Sequence, residues 1–68
     1  MKLYRFLTGP DDASFCHRIT DALNKGWELH GAPQYSYDQN KQAMLCGQAV
    51  TKAVEGKDYT PDMKLSDQ

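Results

Sequence analysis

Glu28 and His30 stand two residues apart in a stretch with strand-like alternation, so their side chains share one face. A carboxylate orienting an imidazole is a recurring general-base arrangement. Gln48, on a later strand, would add a polar wall to the same pocket. Glu28, His30 and Gln48 are therefore the candidate ligand-binding residues, with weak catalysis the most such a set would support. Catalysis needs several convergent groups, and neither a nucleophile nor a pair of oxyanion donors accompanies these three. No residue is assigned a catalytic role.

Cys16 and His17 invite a metal or nucleophile reading. Neighbours on a helix diverge by about 100°, so one ion cannot easily take both. A zinc site would also need Cys46 and His30 to converge, and the paired-cysteine spacings of zinc sites are absent. Both cysteines read as small buried hydrophobes, His17 as a surface or interface residue, and no metal or cofactor is implied. Asp11 and Asp12 carry charge suited to Mg²⁺, but they stand where a helix begins and capping accounts for them. The same charge would repel a phosphate from that helix end. Tyr4, Phe6, Tyr35 and Tyr37 are enough aromatics for a sheet face that stacks nucleic-acid bases. Against this, eight Lys and Arg face nine Asp and Glu for a net charge of −1, and the basic residues form no run. A nucleic-acid surface concentrates positive charge. Single-stranded nucleic acid is thus the third reading, behind a core or an interface for these rings.

Size narrows the classes further. A chain of 68 residues is one domain, and at this length only about 60% of the unfolded chain's surface is buried on folding. Such domains are usually stapled by disulfides, a metal or a partner subunit. Two cysteines are too few for a disulfide framework, which leaves the partner subunit. No apolar run approaches the roughly 20 residues needed to span a bilayer. The first seven residues, interrupted by Arg5, are too short for a signal peptide, so the expected address is cytoplasmic.

The elements follow from periodicity. Residues 2–7 alternate as a strand, with Tyr4 and Phe6 on one side and Leu3 and Leu7 on the other; Thr8, Gly9 and Pro10 end it. Asp11 or Asp12 caps a helix whose stripe is Phe15, Ile19, Ala22 and Leu23, with Cys16 beside it, partly buried. Asp21 and Lys25 are placed for an i, i+4 ion pair. Gly26 stops the helix in a left-handed turn, and Trp27 packs back on Ala22 or Leu23. A second strand runs from Trp27 to about Tyr37, and Pro33 makes it an edge or a bulged strand. Residues 38–41 form a polar turn. The third strand, from about Gln42 to Val54, is apolar on both faces and so is covered on both. Residues 1–56 make the β-α-β-β domain. Residues 57–68 make an arm or a short helical turn, with Tyr59, Met63 and Leu65 as anchors and Thr60-Pro61 suited to a turn start.

The order β-α-β-β makes the first two strands parallel and the third antiparallel to both. Placing the third strand between them gives an α+β fold: one helix on a three-stranded antiparallel sheet of order 1-3-2. One helix covers one face only, which leaves part of the third strand exposed together with either Leu3 and Leu7 or Tyr4 and Phe6. Exposed apolar faces mark interaction sites, so a homodimer is expected, with Met44, Cys46 and Val50 of the third strand at its interface. A further protein partner is open, and neither a membrane nor nucleic acid is implied.

Three strings carry a resemblance: residues 4–12 (Tyr-Arg-Phe-Leu-Thr-Gly-Pro-Asp-Asp), Phe15-Cys16-His17, and residues 23–29 (Leu-Asn-Lys-Gly-Trp-Glu-Leu). With residues 56–62 (Gly-Lys-Asp-Tyr-Thr-Pro-Asp), they make most of the chain similar to an uncharacterised bacterial family, domain of unknown function 1737. The resemblance implies a fold and a bacterial source. It brings no activity and no site residues.

Overall fold

The computed structural model describes residues 1–68. Strand β1 (Lys2–Pro10) leads into helix α1 (Ala13–Asn24), followed by the hairpin β2 (Glu28–Asp38) and β3 (Ala43–Ala53), and a single 3-10 turn at Leu65–Asp67. β3 is central and antiparallel to both neighbours, giving the α+β fold with order β1-β3-β2 anticipated from the sequence. No helix is long and apolar enough to cross a membrane.

The helix is delimited at both ends by side-chain and backbone chemistry. At its start the extended Asp12, rather than Asp11, is the cap: its carboxylate accepts from Ser14 N at 2.9 Å. At its end Trp27 N donates to Ala22 O at 3.1 Å and Gly26 N to Leu23 O at 3.2 Å. That nested pair is the Schellman arrangement, and it requires the positive φ of Gly26, +95°. Asp21 and Lys25 form the anticipated ion pair at 3.0 Å, fully on the surface, where such pairs contribute little.

The turn at Gly26 drops Trp27 onto the sheet. Trp27 is 2% exposed and shares a core of five residues with Leu3, Leu7, Ala22 and Val50. The Arg5 guanidinium and the Lys52 ammonium lie 5.4 and 5.9 Å from its ring centre, within reach of a cation–π attraction. Lys52 Nζ also donates to Lys25 O at 2.7 Å, so β3 holds the helix end directly. The apolar stripe is narrower than the periodicity implied, since Leu23 is exposed and Phe15 and Ile19 are only half-buried.

Residues directly opposite in an antiparallel pair share a face. The pairs Leu3–Lys52, Arg5–Val50 and Leu7–Gln48 therefore line the helix side, and Tyr4–Thr51, Phe6–Ala49 and Thr8–Gly47 line the open side. β1 runs further than the Gly-Pro signal suggested: Gly9 and Pro10 still pair with Cys46 and Leu45. An edge strand tolerates a proline whose missing N–H would have faced away from the ladder.

β2 is both an edge and bulged. Four residues advance from His30 to Gln34 while β3 moves two, from Ala49 to Gly47. The bulge adds an even number of residues, so Leu29, Tyr35 and Tyr37 stay on one parity, the helix side. A helix of 12 residues is about 18 Å long, whereas 11-residue strands reach about 36 Å. The hairpin end thus projects beyond the helix. The arm returns to the body: Lys52 Nζ donates to Gln68 O and Leu65 packs on the core, while Tyr59 is exposed.

Candidate functional site

Glu28 and His30 lie on the open face, paired with Thr51 and Ala49. Gln48 lies on the other side of the sheet, paired with Leu7. The three do not converge, because successive residues of β3 face opposite ways. Gln48 instead serves the bulge. Its Nε2 donates to Ala49 O at 2.9 Å, Gly31 O at 3.3 Å and His30 O at 3.4 Å, so it bonds the Gly31 carbonyl of the unpaired run and the carbonyls of the last ladder pair beside it.

The residues expected at an oligomer interface, Met44, Cys46 and Val50, also fall on the helix side. Val50 is 0% exposed and belongs to the core, so it has no surface to offer a partner. Met44 and Cys46 are half-buried. The Tyr35 hydroxyl donates to Asp11 Oδ2, and the Cys46 thiol lies 3.9 Å from Asp11 Oδ1. Burial, followed by the Asp11 charge, pushes the Cys46 thiol up from its ordinary range. The hydrogen bond to Asp11 raises the Tyr35 hydroxyl likewise. A thiol held protonated is the reverse of an activated nucleophile.

Cys16 is exposed, not buried: it sits beside the stripe on a helix whose one fully buried residue is Ala22. Both cysteines are free thiols, and no three His, Cys, Asp or Glu side chains group as metal ligands would.

What the fold does assemble is the open face. Tyr4 is 55% and Phe6 49% exposed there, next to the half-buried Leu45 and Ala49. The Phe6 ring lies across Gly47. A Cβ at position 47 would stand 2.6 Å from Phe6 Cζ, a clash, so the bare backbone of glycine is what lets the ring lie flat. The ring forms one wall of a shallow trough of about 250 Å³, lined with Thr8, Gln34, Ser36 and Leu45. The sequence could not choose this face, because β1 and β3 are apolar on both parities. The choice is made by Leu3 and Leu7, which fit beneath Trp27 and Ala22.

The charges are arranged elsewhere. Arg5 and Lys52 cover Trp27, Arg18 Nη1 donates to Thr8 O at 2.7 Å, and Lys25 pairs with Asp21. On the open face the strands contribute one lysine, Lys2, and no arginine, with Glu28 and Asp38 on the same side.

No curated protein and no solved structure is significantly similar to the chain. A family model, by contrast, matches residues 1–53, from the N-terminus through the last residue of β3, so it spans the whole sheet and the helix. On that match the chain belongs to the family described as domain of unknown function DUF1737.

Proposed function

We propose that the chain is a non-enzymatic, self-associating domain, in which a second copy closes the open face of the sheet as a twofold dimer. The observation carrying this reading is the pair of half-exposed rings, Tyr4 and Phe6, beside Leu45, Gly47 and Ala49 on a face with no second layer. The accessible surface is 5035 Å². Monomers of 7.7 kDa follow a scaling that gives about 4,300 Å². The excess of about 700 Å² is close to the roughly 800 Å² per partner that a standard interface removes from water.

A second copy suits the face better than nucleic acid does. One lysine gives no field to hold a phosphate backbone, and the same near-neutrality lets two identical faces meet without repulsion. A small-ligand role for Glu28 and His30 is the weaker reading, since Gln48 is spent on the other side. Two free thiols suit a reducing, cytoplasmic setting.

Light scattering on the purified chain at micromolar concentration tests the proposal. A mass twice that of the chain supports it. A monomeric mass, or a salt-sensitive mobility shift with single-stranded RNA that competes with dimerisation, removes it.

A further inference from the structure

Between α1 and β2, on the helix side of the sheet, Phe15, Cys16, Ile19, Thr20, Leu29 and Gln48 line a crevice of about 300 Å³. Leu29, in its wall, is 55% exposed. Gln48 is 5% exposed, and its amide nitrogen is committed to three carbonyls of β2 and β3. The amide orientation is fixed by those partners, since reversing it would set an oxygen against three carbonyl oxygens. The amide oxygen accepts no hydrogen bond within the chain. Nor is it sealed: the sole fully enclosed side-chain polar atom without a partner is Oε1 of Gln68. The crevice is the opening that Gln48 lines, with Thr20 as the other hydrogen-bonding side chain, so an acceptor of fixed position borders a largely apolar hollow.

We propose that this crevice binds a small neutral molecule built on an aromatic ring with one N–H or O–H donor. The donor bonds Gln48 Oε1, and the ring rests against Phe15, Ile19 and Leu29. Size sets the first half of this assignment, because about 300 Å³ is the lower limit of small-molecule sites and admits a ring rather than a nucleotide. The lining sets the second. It contains no charged side chain, which disfavours an ion, and covering the amide oxygen with a purely apolar group would leave a buried acceptor unpaired. The site is on the opposite side of the sheet from Tyr4 and Phe6, so it stands or falls independently of self-association.

The test is a titration of the isotope-labelled full chain with indole, followed by two-dimensional NMR, with 1-methylindole as the analogue that lacks the donor. Indole is expected to shift the Gln48 side-chain amide and the Ile19 and Leu29 methyls, and 1-methylindole to bind about fivefold more weakly, the effect of one neutral hydrogen bond. Leu29→Ala removes a wall from a largely exposed position and should keep the fold while weakening indole severalfold. No shifts, shifts confined to Phe6 and Leu45, or equal affinity for the two compounds would each overturn the assignment.

Discussion

Replacing Phe6 by Ser tests the open face directly, and its size can be worked from exposure. A buried phenylalanine removes roughly 200 Å² from water. Phe6 is 49% exposed in the single chain, so about 100 Å² remain for a partner to cover. At about 25 cal/mol per Å² this is about 2.5 kcal/mol per copy, and a twofold interface counts it twice, for about 5 kcal/mol. Incomplete coverage and the cost of fixing the ring reduce that figure, and about 3 kcal/mol is a reasonable net value. The dimer constant should therefore weaken by about a hundredfold or more, at roughly tenfold per 1.4 kcal/mol. Sedimentation equilibrium measures it. Two companions keep the result interpretable. Tyr4→Arg, at a position 55% exposed, sets like charges across the twofold and should also give monomer without unfolding the chain. Leu29→Ser, equally exposed but on the helix side, should leave the mass unchanged. If Phe6→Ser folds by circular dichroism and retains the parental dimer constant, the interface is not on this face.

Three further outcomes follow from the helix ends and the thiols. Gly26→Val should lower stability by about 1–3 kcal/mol, because φ of +95° is strained for a β-branched residue. Space is not the obstacle, as the nearest atom to an added Cβ is Lys52 Cε at 3.4 Å. A thermal melt matching the parent would refute the helix-end assignment. The Asp12 carboxylate is held below its usual range by the Ser14 hydroxyl and amide. A depressed carboxylate stabilises the fold above its unfolded pKa of about 3.9 and loses that contribution as pH falls through the folded value. Asp12→Asn, which still caps but does not titrate, should therefore flatten the acid side of the stability profile below about pH 4; an unchanged profile would dismiss the cap as its source. Finally, limiting iodoacetamide should alkylate the exposed Cys16 before Cys46, whose thiol is half-buried and raised. Mass spectrometry showing equal labelling would contradict the burial and charge around Cys46.

The fold was legible because its signals are local and agree with one another. Asp12, the helical stripe, Gly26-Trp27 and Pro33 each dictate a backbone state within a few residues of themselves, and together they leave one economical order for three strands. The candidate site was not legible, for a reason of parity. In β3 the two faces are alternately Ala43, Leu45, Gly47, Ala49 and Met44, Cys46, Gln48, Val50, so periodicity reveals two apolar faces without saying which the helix takes. Gln48 does not join Glu28 and His30 because facing depends on hairpin register: β2 pairs Glu28 and His30 with Thr51 and Ala49, the parity of β3 opposite to Gln48, and the two-residue bulge leaves that parity unchanged. Cys16 lies beside the apolar stripe, and periodicity does not tell how wide a band of the helix the sheet covers; only Ala22 is fully buried there and Cys16 is exposed.

The edges explain why association through the face would close rather than propagate. A three-stranded sheet has two edges, and an unguarded one recruits strands without limit. β2 is exposed along almost its whole length, yet its ladder to β3 breaks between His30 and Gln34, where Pro33 removes a donor and Gln48 takes the carbonyls of His30 and Gly31. No long flat stretch is left for a neighbour to extend. On the other edge, Pro10 lacks an N–H and Arg18 already occupies the Thr8 carbonyl. Pairing through either edge is therefore blunted by covalent structure and by bonds already made. The face has no such guard, and packing two identical faces about a twofold axis consumes both at once. Under the proposed twofold pairing, the open face with Tyr4 and Phe6 would be consumed at two copies, since neither blunted edge offers a further strand a ladder to extend.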